Sequence, residues 1–307
     1  MTQTSAANSL VAFPKILKDS FTELMKNDPL RMAGATAFFT TFALPPILII
    51  LIQVLGLIFN PVEISHELFE KLGGIIGAAS VQQLIDTLIA FRRLAQNWYI
   101  TIVGFVFLIF VATTLFKVIR SSMNQVWKIK VVKKRNLWMG LRDRLQSLFV
   151  ILVAGMLFMG GLLTEGAQAV LGNYISELFP SFASYLNSFL NHIVSIVIVT
   201  LWFTILFHYL PDGKPQWKVA LTGAFLTSLL FNSGKILLRW LLTYSNINTV
   251  YGASGSIVLL LLFVFYSSLI LYYGAAFTKV WGAYHHHPIK PLHYAMHYQL
   301  AEADEDE

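Results

Sequence analysis

The residues best equipped for chemistry in this chain sit where chemistry is costly. The stretch NSGKILLRWLLTYS, residues 232–245, closes an otherwise apolar run that begins at Val219. Ser228, Asn232, Lys235 and Arg239 follow one another here at intervals of four, three and four residues. On a helix those intervals put all four side chains on one stripe. An ionisable group at membrane depth costs about 2.5–3.5 kcal/mol on insertion scales, so it faces a bundle interior, water or a partner. Two readings follow. Lys235 and Arg239 could snorkel to the outer headgroups or be used in a structural ion pair. Alternatively, the stripe lines a cavity and offers its cations to a carboxylate, a phosphate or a lipid headgroup.

Glu165, in GGLLTEGAQAV, is the clearest acidic residue inside an apolar run. Its depth matches that of Lys235 and Arg239, and an unpaired charge there is expensive, so an ion pair is expected. Glu165 would then neutralise one cation and leave the other for an anion. A proton-relay role is the second reading.

Lys117 and Arg120 end another apolar run and lead into SSMNQVWKIKVVKKR, which carries Lys133, Lys134 and Arg135. The plainest role for these five cations is to mark the cytoplasmic side. The sharper role is contact with anionic lipid headgroups. Nothing resembling an RNA-reading module accompanies the basic run, so nucleic acid is not an expected partner. The chain shows no Ser–His–Asp pattern, P-loop or HExxH, and it contains no cysteine. His285–His287, His293 and His297 could bind a metal weakly, but they read better as a polar tail. We therefore expect no catalytic residue, metal or cofactor, and no enzyme.

The elements that position these residues follow from composition. The 307 residues are 56% hydrophobic and 12% charged, with mean hydropathy +0.64. A chain this apolar needs lipid as its solvent. Runs at about 33–59, 98–119, 147–171, 187–210, 218–243 and 256–282 each have the length to span as helices. The expected fold is an all-α integral membrane protein, a six-helix transmembrane bundle. Pro45 and Pro46 fall inside the first span and predict a kink near Phe42, either a hinge or a fixed bend. Between spans one and two, residues 60–97 read as two amphipathic helices on the outer face, joined at Gly73–Gly74. An ordinary structured loop is the alternative.

Residues 1–32 read as a cytoplasmic segment without signal-peptide features, 33–282 as the membrane domain, and 283–307 as a mobile His-rich and acidic cytoplasmic tail.

Four stretches in order resemble the YihY/virulence factor BrkB family, also called ribonuclease BN-like membrane proteins. They are AGATAFFTTFALPPILIILI, SSMNQVWKIK, LPDGKPQWKVALTGAFLTSLLFNSGKILL and VYGASGSIVLLLLFVFYSSLILYYGAAFTKV. Ala276 stands where members commonly carry an acidic residue, and Phe263 and Phe265 where they often carry tryptophan. The resemblance implies a six-helix protein of the bacterial inner membrane without a settled activity. Metal-dependent RNA hydrolysis needs clustered ligands in a water-accessible site, which this chain's loops do not offer. The expectation is a transporter or lipid- or anion-translocating permease with membrane lipids as partners. A non-transporting scaffold or envelope-assembly factor is the alternative.

Lys and Arg concentrate in the N-terminal segment, the connection between spans two and three, and the turn LPDGKPQWK, so both termini are expected in the cytoplasm. Reporter fusions at Gly172, Pro211 and Ser254 are expected to read outside, inside and outside. A cytoplasmic signal at Ser254 would overturn the six-span topology.

Overall fold

The computed structural model describes residues 3–94, 98–132, 137–178, 180–244 and 255–299. Helix α1 (Gln3–Met25) is followed by α2 (Pro29–Leu55), α3 (Pro61–Ile76), α4 (Ala78–Leu94) and α5 (Trp98–Val126). A short strand β1 (Ile129–Val131) precedes α6 (Leu137–Leu178) and α7 (Pro180–Tyr209). Strand β2 (Gly213–Lys214), α8 (Trp217–Tyr244), α9 (Gly255–Tyr284), β3 (Lys290–Pro291) and β4 (Ala295–His297) complete the order. Among the described residues, six helices are long and apolar enough to cross a membrane: Pro29–Leu55, Ile102–Val126, Gly140–Gly161, His192–Tyr209, Trp217–Leu237 and Ile257–Tyr284. They match the six apolar runs in number and order, and the protein is an all-α membrane bundle.

The spans bury only one side. Ile102, Val103, Val106, Phe107 and Phe110 on α5 are all at least half exposed and recur three and four apart. Such a stripe is the face a spanning helix shows to lipid. The opposite faces meet in a core built around Met123, Trp127, Phe207 and Tyr272, each almost fully buried. Helix α9 is central and packs on α1, α2 and α8. Helix α2 remains one helix through Pro45 and Pro46, both buried. Lacking N–H groups, these prolines cannot donate to the carbonyls of Thr41 and Phe42.

Three sequence expectations change or gain detail. First, the break between the amphipathic helices falls at Gly77 and not at Gly73–Gly74. Gly77 has φ +86°, a backbone conformation that strongly favours glycine, while Gly73 and Gly74 stay helical. Asn60 starts α3 by accepting a hydrogen bond from the Val62 N–H at 3.0 Å. Leu68, Val81 and Leu84 then bury themselves against Leu48, Leu260 and Val264, and Ile64 is buried as well. Second, the N-terminal segment forms α1, which packs on α9 through edge-to-face contacts of Phe13 with Phe277 and Trp281. Third, the tail is folded as far as residue 299. β4 pairs antiparallel with β1, and β3 with β2. Ile289 and Tyr294 are buried, so apolar residues scattered among the histidines are enough to hold the segment down. Residues 300–307, with the acidic end, lie outside the described residues.

Helices α8 and α9 approach closely through a reciprocal motif. A Cβ added at Gly223 would overlap Thr278, and one added at Gly274 would overlap Thr227. Each threonine stands four residues after the glycine of its own helix and donates to that glycine's carbonyl, at 2.6 and 2.7 Å. Between apolar helices, close approach of small residues replaces the hydrophobic drive that lipid removes. Gly223→Ala and Gly274→Ala should each destabilise the detergent-solubilised protein by about 1–3 kcal/mol, the usual cost of overpacking. Gly104→Ala, whose Cβ meets nothing within 4 Å, should cost much less. Equal thermal stability of all three variants would contradict this packing.

Candidate functional site

The fifth-span stripe faces helix α7. The Ser195 hydroxyl donates to Asn232 Oδ1 at 3.1 Å, and Asn232 Nδ2 donates to the Ser228 carbonyl at 2.9 Å. One turn along, the hydroxyls of Ser228 and Thr200 lie 2.7 Å apart, both buried. Lys235 is half-buried, with Nζ 3.4 Å from Ser195 Oγ and 5.5 Å from the centre of the Phe231 ring. Ser228, Asn232 and Lys235 are thus brought together in a polar seam between two apolar helices. The side chains of Glu165 and Arg239 lie outside the described residues. Pro45 and Pro46 belong to α2, which packs chiefly on α5 and α9, away from this seam.

The second cationic set separates. Lys117 is exposed, but Arg120 is buried and cannot serve as a headgroup contact. Lys133, Lys134 and Arg135 lie outside the described residues. Arg120 is held by two carboxylates on other elements. Nη1 bonds Asp143 of α6, Nη2 bonds Asp212, and Nε donates to Asp212 at 3.1 Å. Asp212 lies in the turn between α7 and β2, its side chain only 3% exposed. Asn124, one turn beyond Arg120, donates to Asp212 Oδ2 at 2.6 Å and accepts from the Asp212 backbone N–H at 2.9 Å. Tyr294, from the tail, donates to Asp212 Oδ1 at 3.0 Å and accepts from Arg142 at 3.0 Å. The Leu292 N–H completes the tie by donating to the Asp212 carbonyl at 2.9 Å.

The electrostatics of this cluster are one-sided. Burial alone would push Asp212 up, but the bonds and charge of Arg120, with Asn124 and Tyr294, outweigh it and hold the carboxyl below its ordinary range. Burial and the neighbouring Asp212 carboxylate push the Tyr294 hydroxyl up, so it stays protonated as a donor. Sequence reasoning passed over Asp143, Asp212, Asn124 and Tyr294. The available signal was an acid inside each cation-rich segment, Asp143 between Arg142 and Arg144 and Asp212 before Lys214.

Two more ties gather at this end. Lys279 donates to Glu23 of α1 at 2.7 Å and to the Val126 carbonyl at 2.9 Å, and Trp127 Nε1 donates to the Ala275 carbonyl at 2.9 Å. Two tail histidines bond backbone carbonyls, His285 at Trp281 and His297 at Ile289. Among the described residues, no group of three or more His, Asp or Glu side chains is placed to hold a metal ion.

Replacing one partner of a buried ion pair costs about 3–5 kcal/mol, whereas replacing both is often tolerated. Asp212→Asn should therefore destabilise the protein by about that much, and Arg120→Met with Asp212→Leu should recover part of the loss. Because the folded carboxyl titrates below its unfolded value near ~3.9, its contribution is present above that pH and lost as pH falls through the folded value. Acidification from pH 6 to below 4 should lower the melting temperature of the wild type more than that of Asp212→Asn. Parallel acid profiles would contradict the role given to Asp212.

Comparison with known proteins agrees with this architecture. A UPF0761 membrane protein of Alcanivorax borkumensis is 23% identical over 286 residues, covering 91% of this chain but 62% of its own length. One of Actinobacillus pleuropneumoniae is 25% identical over 265 residues, covering 82% of this chain and 88% of its own length. The UPF0761 membrane protein YihY of Salmonella paratyphi B is 26% identical over 227 residues, covering 73% of this chain and 71% of its own. No solved structure matches the chain. The family described as virulence factor BrkB matches residues 20–293, from the last part of α1 to the tail segment tied to Asp212. The chain is a multi-pass membrane protein that belongs to the virulence factor BrkB family.

Proposed function

We propose that the protein is a permease of the bacterial inner membrane, with both termini in the cytoplasm, that moves an anionic small molecule or an anionic lipid. It is not an enzyme in this reading. The observation that carries the reading is the α7–α8 seam, where Ser195, Asn232 and the half-buried Lys235 interrupt two spanning helices. An ammonium at that depth, beside a hydroxyl and an aromatic face, is chemically suited to exchange ionic partners with a passing carboxylate or phosphate. Hydrogen bonds between spanning helices are worth only about 0.6 kcal/mol on average, so these polar groups can exchange partners at small cost. The competing reading is a non-transporting scaffold. It is favoured by the opposite end of the bundle, where α1, both ribbons and the Arg120 cluster form a fixed platform.

Reconstitution separates the two. Liposomes containing the protein should move a fluorescent phosphatidylglycerol or a trapped anion faster than protein-free liposomes. Lys235→Gln should slow that flux on the order of tenfold, the scale of one charge-assisted hydrogen bond, and Lys235→Arg should retain it. Flux equal to that of empty liposomes for every anion tried would reject the permease and leave the scaffold.

A further inference from the structure

The exposed cations nearest the folded tail are arranged against their own electrostatics. In the β2–β3 ribbon, Lys214 stands directly opposite Lys290. Directly opposed residues share one face of a ribbon, and like charges placed so are destabilising. Lys218 adds a third cation in the first turn of α8, the end of a helix that already carries partial positive charge. All three lysines are exposed, and none lies within 4 Å of a carboxylate oxygen among the described residues. The nearest carboxylate in sequence, Asp212, is buried and occupied by Arg120, Asn124 and Tyr294.

The same corner carries the marks of a membrane boundary. Tyr209 ends α7 at 36% exposure, Trp217 begins α8 at 52%, and Tyr284 ends α9 at 46%. Partly exposed tyrosine and tryptophan at helix ends settle at the headgroup level of a bilayer. The Trp217 ring is fixed by stacking on His208, with ring centres 4.1 Å apart, and His208 in turn bonds the Pro215 carbonyl at 3.1 Å. The ribbon is tied down by the bonds of Asp212 to Asn124 and Leu292. The cations are therefore mounted on a tied-down frame beside residue types that settle at the headgroup level, which lowers the ordering cost of binding an anion.

We propose that Lys214, Lys290 and Lys218, beside Trp217 and Tyr209, form a binding site for the phosphate of an anionic phospholipid. A phosphate between the opposed lysines turns their repulsion into two charge-assisted contacts. Its acyl chains run along the exposed apolar faces of α7 and α8, where Leu201, Leu221 and Phe225 are at least two-fifths exposed. The site takes over the headgroup contact that the buried Arg120 cannot make. It stands whether or not the protein moves a solute.

The test uses the full-length protein, stripped of lipid in detergent, with short-chain phosphatidylglycerol, the matching phosphatidylcholine and inorganic phosphate as probes. Phosphatidylglycerol should raise the melting temperature by about 2–4 °C over phosphatidylcholine. Lys214→Gln with Lys290→Gln should abolish that difference, and Lys214→Arg with Lys290→Arg should keep it. Lys15→Gln with Lys18→Gln removes the same charge from exposed positions on α1 and should also keep it. Without lipid, the Gln pair should be at least as stable as the wild type, since the opposed charges are gone. A difference that survives in the Gln pair, or is lost equally in the α1 control, overturns the site. An equal rise with inorganic phosphate overturns the lipid assignment.

Discussion

A buried guanidinium cannot be left alone, and one end of this molecule is organised by that fact. Arg120 never loses its charge, so burying it requires carboxylates to be delivered to it. One comes from α6 and the other from the turn after α7, 23 and 92 residues from Arg120 in sequence. Once Asp212 is fixed, its backbone fixes β2, and its carboxylate fixes Tyr294 and with it the tail. A single desolvated cation thus sets where two spans, one turn and the β3–β4 segment meet. Such a pair adds little net stability over a packed apolar equivalent, because desolvation consumes most of the attraction. Its effect is on which arrangement forms.

The two kinds of contact in the bundle differ in how readily they yield. At the ribbon end, charge pairs, backbone ties and a buried tryptophan hold α1, α5, α6, α7 and α9 together. Between α7 and α8, the polar contacts among the described residues include hydroxyl and amide bonds beside a half-buried lysine. Each of these polar bonds is weak on its own, whereas breaking the contact at Asp212 strands a charge. Motion that opens the seam would therefore pivot on the ribbon end. The α8–α9 contact resists such motion on its far side, because the Gly223–Thr278 and Gly274–Thr227 fits leave no slack.

The six spans were legible because lipid imposes a length and a composition that any spanning helix must satisfy. The amphipathic pair was legible from its period, since Ile64 and Leu68, and Val81 and Leu84, stand at helical spacing and are buried. Their junction was misplaced because two adjacent glycines look like the stronger break, yet only Gly77 takes a positive φ. The stripe of Ser228, Asn232 and Lys235 was readable from period alone, but its partners Ser195 and Thr200 were not. Periodicity orders residues within a helix and says nothing of which neighbour they face. The Arg120 cluster was hidden for a related reason. Its members are 92 and 23 residues from Arg120 for the two carboxylates and 174 for Tyr294, so no local pattern joins them. The folded tail was obscured by its histidines, which dominate its composition while Ile289 and Tyr294 do the packing.

The cation count itself conceals a division of labour. Counting Lys and Arg by segment treats Arg120, Lys279, Lys214 and Lys290 as equal marks of one membrane side. The structure separates them by chemistry. Arg120 is a planar fork that meets two carboxylates at once, a geometry an ammonium cannot reproduce. Lys279 reaches one carboxylate and one carbonyl through a long stem. Lys214 and Lys290 keep their ammonium groups in water, where a compact hydrated charge is at home. Substituting Arg120 by lysine would preserve every topological count and still leave part of the Asp212–Asp143 pair unsatisfied. The cations that decide the fold are those the count cannot distinguish, and those left outside can meet an anion of the membrane.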